Sequence, residues 1–277
     1  MSKMAQLGSD ISALLDKYGL IYLNGMWKTF SLAIICTLVG CLIGFLCGIL
    51  QTIPCSKSDS LPKRFLLGLV RVVIRIYVEV FRGTPMILQA VFVYFGLPYF
   101  TSIRFGSVWI AAFVVVSINT GAYMAETVRG GILSVDPGQT EGTKAIGMTH
   151  FQSMLYVIFP QALRAIMPQI GNNLIINIKD TSVMFIIGYA EFFAVHRSVA
   201  GATFQYFPSA TIEMAGYLSM TLICSFLLRW WEGILEGSDS YDLATKDTLA
   251  HTSGMVRYPK KKGGGIGNRT LDKRGDR

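Results

Sequence analysis

The chain has 277 residues, of which 52% are hydrophobic and only 15% are charged, and its formal net charge is +8. Soluble domains carry roughly a quarter charged residues, so this composition excludes an ordinary soluble protein and predicts a membrane protein. The five cysteines fall at spacings that match no metal site, and we predict no metal and no cofactor.

Apolar stretches that could cross a bilayer recur along most of the chain. A hydrocarbon core of about 30 Å requires about 20 apolar residues per helix. Three stretches contain no charge and two are interrupted by ionisable residues; in order they are residues 29–56, 83–103, 105–125, 166–190 and 199–228. We therefore predict an all-α membrane protein with five transmembrane helices, built from residues 27–231.

The two ends of the chain are less apolar than residues 27–231 and are not predicted to cross the membrane. Residues 1–26 form an N-terminal segment, in which 8–23 is either a short helix at the outer interface or a disordered leader. The first span begins too late for a cleavable signal peptide. Residues 232–277 form a polar, basic tail without aromatic interleaving, which indicates a solvated or lipid-facing segment and no nucleic-acid partner.

The distribution of positive charge predicts the orientation. Basic residues are concentrated after the first span, after the third span and in the tail, whereas the segments after the second and fourth spans hold only Arg104 and Arg197. The positive-inside rule therefore places the basic segments and the C-terminus in the cytoplasm and the N-terminus outside.

Four arginines between the first and second spans share one stripe of a predicted helix. They are Arg64, Arg71, Arg75 and Arg82. Their spacing of seven, four and seven residues keeps them on one side at 100° per residue, and Glu79 can pair with either of its arginine neighbours one helical turn away. We interpret the stripe as an anchor to lipid headgroups, with a gate or a partner contact as the alternative.

Polar residues inside the third and fourth predicted spans form a second pattern. Ionisable groups at membrane depth cost several kcal/mol unless they face a cavity or one another. We predict that a substrate path is lined or gated by Asn119, Glu126, Asn177, Lys179, Asp180 and Ser182. The alternative is that these side chains pair between helices and hold a dimer together.

A polar insert, residues 136–164, separates the third and fourth spans. Asp136 can cap a short helix, the proline after it fits the first helical position, and Gly147 suits a left-handed residue at the end. Thr149 and Gln152 form a capping-box pattern that opens a second short helix. Two short helices cannot bury all of their apolar residues, so this helix–turn–helix needs a partner.

The insert resembles the EAA loop of ABC-transporter permeases, a cytoplasmic coupling helix–turn–helix that sits in a groove of the ATPase subunit. The residues that match the family pattern are Glu141, Ala145, Gly147, Ile158, Phe159 and Pro160. Gly142 and Thr143 replace two alanines, and Phe159 replaces the usual leucine. The resemblance assigns the ATPase contact to Glu141, Gly142, Ala145, Gly147, Met148, His150 and Phe151.

Two further segments resemble permeases of the polar amino-acid uptake family, which import histidine, glutamine, glutamate, arginine or opines. They are VEVFRGTPMILQAVFVYFGLP, residues 78–98, and KDTSVMFIIG, residues 179–188. The likeness runs from about Trp27 to about Trp231. It implies the permease subunit of an ATP-driven importer in a bacterial plasma membrane, which moves a polar amino acid by alternating access, with glutamine or glutamate preferred.

The resemblance also implies partners. They are an ATP-binding cassette ATPase subunit, an extracytoplasmic substrate-binding protein, a second copy of the chain or a similar permease, and membrane lipid.

A zwitterionic substrate needs an acceptor for its ammonium group, which Glu126 or Asp180 offers, and a donor for its carboxylate, which Lys179 and the asparagines offer.

Catalytic arrangements are missing from the sequence. The three histidines are expected in three different loops or tails, and no Walker-type glycine-rich loop occurs. We therefore predict that the chain is not an enzyme and that ATP is hydrolysed by another subunit. The alternative function is a secondary transporter that works without an ATPase, although we find no inverted repeat.

Overall fold

Helices account for all of the secondary structure in the computed structural model, which describes residues 3–55 and 60–236. In chain order the helices are α1 (Lys3–Thr52), α2 (Leu61–Gly83), α3 (Met86–Phe100), α4 (Val108–Leu133), α5 (Pro137–Ala145), α6 (His150–Ile187), α7 (Phe192–Thr203) and α8 (Tyr206–Glu236). A π-helical turn interrupts α3 at Phe92–Gly96 and another interrupts α6 at Met154–Ile158, and α6 ends in a 3-10 turn at Thr181–Ile187. The all-α prediction is confirmed, and most of the predicted tail lies outside the described residues.

Three helices are long and apolar enough to cross a membrane: α1, α4 and the Tyr206–Trp231 part of α8. α6 and α7 together make a fourth, which is bent by 54° where the two meet. α3 is shorter and occupies the position of the second predicted span. The prediction of five full spans is therefore not confirmed by helix length and composition, and it stays a prediction.

The N-terminal segment is part of a single helix. α1 runs without a break from Lys3 through the stretch 8–23 into the first apolar span. No proline occurs in this part of the chain, so nothing forces the backbone to leave the helix. One continuous helix thus replaces both expectations, the separate interfacial helix and the disordered leader.

Glycines on α1 allow a close approach to α4. Gly40, Gly44 and Gly48 recur one turn apart along the buried side of α1. A Cβ atom at Gly44 would lie 2.3 Å from the Cβ atom of Met124, and one at Gly48 would lie 2.6 Å from Val128. Small residues at this spacing let two membrane helices pack backbone against side chain, which is the contact that fixes α1 on α4.

α4 is the central helix, because it is the most buried of the three long apolar helices and contacts α1, α2, α3 and α6. The most apolar window of α4 is 61% buried, whereas that of α8 is only 17% buried. α8 therefore lies at the edge and turns large apolar side chains such as Leu218 and Phe226 outward. Such a surface suits lipid or another membrane subunit.

The chain after α6 departs from the sequence prediction. The fifth span was expected to begin at Val199, but that residue belongs to α7, and α8 begins only at Tyr206. Phe204 separates the two helices in a left-handed conformation, with φ 58°. His196, expected in a loop, lies in α7 and is almost completely buried.

Candidate functional site

The helix–turn–helix formed by α5 and the start of α6 has the predicted local geometry. The Asp136 side chain accepts a hydrogen bond from the backbone N of Gly138 at 2.7 Å, and Gly147 adopts φ 79°. Thr149 and Gln152 form the capping box: Thr149 Oγ1 accepts from Gln152 N at 3.3 Å, and Gln152 Oε1 accepts from Thr149 N at 2.9 Å. These caps satisfy backbone donors that neither short helix can satisfy alone.

This helix–turn–helix presents apolar side chains to the outside. Ile146 is 76% exposed and Phe151 is 73% exposed. Of the seven residues assigned to an ATPase contact, six are exposed and Met148 is half-buried. Within the segment Thr143 is buried, and Gln161 Nε2 on α6 donates to Gln139 Oε1 on α5 at 3.3 Å. An apolar surface of this kind, carried on a braced elbow, is suited to protein contact.

Several of the predicted path residues meet at a single cavity of about 460 Å³, which we call the central cavity. It lies beside the break between α2 and α3, where Gly83, Thr84 and Pro85 form part of its wall. Its polar lining also includes Arg82, Asn119, Thr120, Tyr123, Asn173, Asn177 and Asp180. Asn119, Asn177 and Asp180 were all predicted from the sequence, and the fold brings them together from α4 and α6.

Asp180 is the carboxylate of the central cavity. It is half-buried at the point where the α-helical part of α6 gives way to its 3-10 turn. Within residues 3–55 and 60–236, its side chain makes no hydrogen bond and no ion pair. Arg82 lies on the same cavity and places its guanidinium 5.5 Å from the centre of the Tyr123 ring. One acceptor and one strong donor therefore face a shared space.

Asn177 lines the central cavity and also bonds between helices, the two alternatives that the sequence left open. Its Nδ2 donates to Thr37 Oγ1 on α1 at 2.8 Å, and its Oδ1 accepts from Thr120 Oγ1 on α4 at 3.1 Å. The side chain thus joins three helices through buried hydrogen bonds, as polar residues between membrane helices commonly do. Asn177 lines the cavity while its amide braces the wall.

Gln89 is a buried polar residue that our reading of the sequence missed. Its Nε2 lies 2.9 Å from the backbone O of Phe81, from the backbone O of Thr84 and from Thr84 Oγ1, and it donates across the break between α2 and α3. Asn119 Nδ2 donates to Gln89 Oε1 at 3.0 Å. A lone glutamine in the apolar run of α3 was the available signal.

Glu126 faces a different space from Asp180. It lines a second cavity of about 550 Å³, which we call the arginine cavity, and its carboxylate forms an ion pair with Arg129 one turn away. The full lining is Gln51, Arg71, Arg75, Val78, Glu79, Arg82, Glu126 and Arg129. Arg82 belongs to both cavities. Glu126 therefore lines the arginine cavity and not the central cavity.

Lys179 and Ser182 lie outside both cavities. Lys179 is exposed and makes no ion pair with any other residue that the structure describes. Ser182 is half-buried in the 3-10 turn that ends α6. Neighbouring positions on a helix point about 100° apart, which explains why Asp180 reaches the central cavity and Lys179 does not.

A buried polar network joins α1, α7 and α8, and the sequence pattern did not reveal it. Glu191 is fully buried and accepts hydrogen bonds from the backbone N of Phe193 and of Ala194, each at 2.8 Å, and from Tyr217 Oη at 2.9 Å. Thr29 Oγ1 on α1 donates to the same carboxylate at 3.3 Å. The carboxylate thereby caps α7 and links it to both neighbouring helices.

Comparison with known proteins places this architecture in a family. Residues 61–238 match the family described as the binding-protein-dependent transport system inner membrane component. The chain is 40% identical over 155 residues to the glutamine transport system permease protein GlnP of Escherichia coli (strain K12), covering 56% of this chain and 70% of that protein. It is 30% identical over 230 residues to the arginine transport system permease protein ArtQ of Bacillus subtilis (strain 168), covering 83% of this chain and 99% of that protein.

A solved structure agrees with these relatives. The crystal structure of an amino acid ABC transporter with histidines is similar to this chain at a TM-score of 0.69 and 32% identity, over 79% of this chain and 95% of that one. These findings support the permease of an ATP-driven importer and give no support to the alternative, a secondary transporter. The chain belongs to the family of binding-protein-dependent transport system inner membrane components, the multi-pass permease subunits of ABC importers.

Proposed function

We propose that this permease carries a polar amino acid through the central cavity by alternating access. The observation that supports the proposal is that Asp180 and Arg82 line the same cavity, together with the amides of Asn119 and Asn173. A carboxylate accepts the ammonium group of a free amino acid, and a guanidinium donates to its carboxylate. A volume of about 460 Å³ accommodates a substrate of this size.

Glutamine or glutamate is the substrate that we favour. The relative with 40% identity is a glutamine transport permease. The amide nitrogens of Asn119 and Asn173 donate within the protein, but their amide oxygens can accept hydrogen bonds from the polar end of such a side chain. The arginine transport relative, at 30% identity, supports the same class of polar amino acids.

The energy for transport comes from a separate ATPase in this proposal. The permease has no Walker-type loop in its sequence, and the exposed face around Ile146 and Phe151 is the surface that we assign to the ATPase. ATP binding would draw two such surfaces together and rock two permease subunits about the path between them. Two-state coupling of this type converts a distant event into a change of access.

The remaining partners follow from the same proposal. An extracytoplasmic binding protein delivers the amino acid to the outer face, and a second copy of the chain or a similar permease completes the path. The permease resides in a bacterial plasma membrane, with the N-terminus outside and the helix–turn–helix in the cytoplasm. The distribution of basic residues along the sequence supports this orientation.

The experiment replaces Asp180 with Asn in the complete importer and measures initial rates of amino-acid uptake into proteoliposomes. Asp180→Asn keeps the shape of the side chain but removes the charge that holds the ammonium group. Loss of a charged hydrogen bond of about 1.5–3 kcal/mol predicts that the KM for uptake rises roughly 10- to 100-fold. Co-purification with the ATPase should be unchanged.

Lys179→Met is the matched comparison, because Lys179 is the adjacent residue and lies outside the central cavity. We expect its KM for uptake to equal that of the parent, whereas the two-permease assembly should dissociate more readily in detergent. If Lys179→Met raises the KM and Asp180→Asn does not, the substrate path lies on the other face of α6 and the proposal fails.

A further inference from the structure

α2 has two sides of opposite character. One side exposes a continuous series of large apolar residues, including Phe65, Leu69, Val72, Val73, Ile76 and Val80. The other side carries Arg71, Arg75 and Arg82 into the arginine cavity, whose opposite wall comes from the ends of α1 and α4. The arginine stripe read from the sequence therefore faces a cavity for three of its four members, and only Arg64 lies outside it.

The arginine cavity has an excess of positive charge. Its lining contains four arginines and two glutamates, which leaves a formal excess of two positive charges. Glu126 is already paired with Arg129. Glu79 makes no ion pair with Arg75 or Arg82 in the described parts of the chain, although the sequence spacing allowed one. Like charges that share one cavity repel each other, so an anion would stabilise this arrangement.

Hydrogen-bond donors in the arginine cavity are also left without acceptors. Arg71 donates from Nη2 to the backbone O of Ile53, but its Nε atom is buried and has no partner among the described residues. Arg75 makes no hydrogen bond and no ion pair within the same residues. A buried donor without an acceptor costs free energy, and an oxyanion at this position would remove that cost.

We propose that the arginine cavity binds the phosphate headgroup of an anionic phospholipid whose acyl chains lie along the apolar side of α2. Guanidinium groups bind phosphate oxygens in a bidentate manner, and a volume of about 550 Å³ admits a headgroup. The adjoining apolar surface distinguishes a lipid from a soluble anion, because only a lipid uses both sides of the helix. Basic pockets between membrane helices bind anionic headgroups for the same reason.

The test measures binding of phosphatidylglycerol and phosphatidylcholine to the purified full-length permease by native mass spectrometry. We expect phosphatidylglycerol to saturate one site per chain and to bind more tightly than phosphatidylcholine. Arg75→Gln should weaken phosphatidylglycerol binding about fivefold, the effect of one arginine near an anionic headgroup. Arg75 is exposed and has no partner among the described residues, so its substitution should not disturb folding.

Arg64→Gln is the matched control, since it removes the same charge from the same helix but outside the cavity. It should leave phosphatidylglycerol binding unchanged. Equal losses in the two variants, or equal affinity for the two lipids, would overturn the proposal. So would Arg75-dependent binding of inorganic phosphate or free glutamate without an effect on phosphatidylglycerol, because the cavity would then be a site for a soluble anion.

Discussion

Asn119 on α4 donates a hydrogen bond to Gln89 on α3, with 3.0 Å between Nδ2 and Oε1. The same glutamine amide donates to the backbone O atoms of Phe81 and Thr84 on the other side of the helix break. One buried side chain therefore fixes the angle between α2 and α3 and attaches both to the central helix. The wall of the central cavity depends on this arrangement, because Thr84 and Asn119 both belong to it.

Replacing Gln89 with Leu should destabilise the permease. The change keeps a side chain of similar size but removes the Gln89 donor from the backbone O of Thr84 and the Gln89 acceptor from Asn119 Nδ2, whose other hydrogen bond to the backbone O of Phe81 remains. A cost of about 1–3 kcal/mol is expected for buried groups left unpaired, and the Tm of the purified protein should fall. Gln169→Leu is the control, since Gln169 is exposed on α6 and its side chain makes no hydrogen bond among the described residues. Equal Tm values for both variants would refute this role.

The contact between α1 and α4 provides a second prediction. Gly44→Val should force the two helices apart, because even its Cβ atom would lie 2.3 Å from Met124. Overpacking of this kind costs about 1–3 kcal/mol, so the yield of monodisperse protein and its Tm should both fall. Gly8→Val on the same helix has no heavy atom within 4 Å of the new Cβ and should behave like the parent. A tolerated Gly44→Val would show that the close approach is not required.

The helix–turn–helix gives a third prediction, in which backbone conformation rather than space is decisive. A Cβ atom at Gly147 would meet nothing within 4 Å, but the residue adopts φ 79°. Valine tolerates that conformation poorly, with a strain of about 1–3 kcal/mol. Gly147→Val should therefore insert normally while substrate-stimulated ATP hydrolysis and uptake fall.

Gly130→Val is the control for this elbow. Gly130 is exposed, lies within helix α4 and also has open space around it, without the left-handed backbone. Uptake and stimulated ATP hydrolysis should remain close to the parent values in that variant. Normal coupling in Gly147→Val would remove Gly147 from the proposed ATPase contact.

Orientation is a fourth prediction and can be measured by labelling single cysteines in a variant whose native cysteines are replaced by alanine. A membrane-impermeant thiol reagent applied from outside should reach a cysteine at Ser102 or Ser198. It should not reach one at Ser134 or Ser253. The opposite labelling pattern would place the helix–turn–helix on the wrong side for an ATPase and would contradict the proposed coupling.

Local chemistry explains which parts of the structure could be predicted from the sequence. The caps at Asp136 and Thr149 and the left-handed Gly147 depend on residues within a few positions of one another, and all three are confirmed. The fold of membrane helices was also predictable, because each apolar stretch must satisfy its own backbone hydrogen bonds. Three of the six residues predicted for the path, Asn119, Asn177 and Asp180, line one cavity, and each stands out in the sequence as a polar position in apolar surroundings; that they form a substrate path stays a prediction.

Tertiary contacts explain what could not be predicted. Glu126 and Asp180 carry the same charge in similar surroundings along the sequence, but the packing of α2 assigns them to different cavities. The roles of Glu191 and His196 were not predicted, because their partners Tyr217 and Ser209 come from a later helix. No periodicity in a single segment indicates which distant side chain will satisfy a buried carboxylate.

Uptake of radiolabelled glutamine into proteoliposomes tests the central claim most directly. The vesicles contain this permease with the ATP-binding cassette subunit that co-purifies with it, and the binding protein is added outside. Glutamine should accumulate only when the binding protein is present outside and ATP is enclosed inside the vesicles, on the side where the ATPase subunit lies. Equal accumulation by the permease alone, without ATPase or ATP, would contradict the account and would identify a secondary transporter.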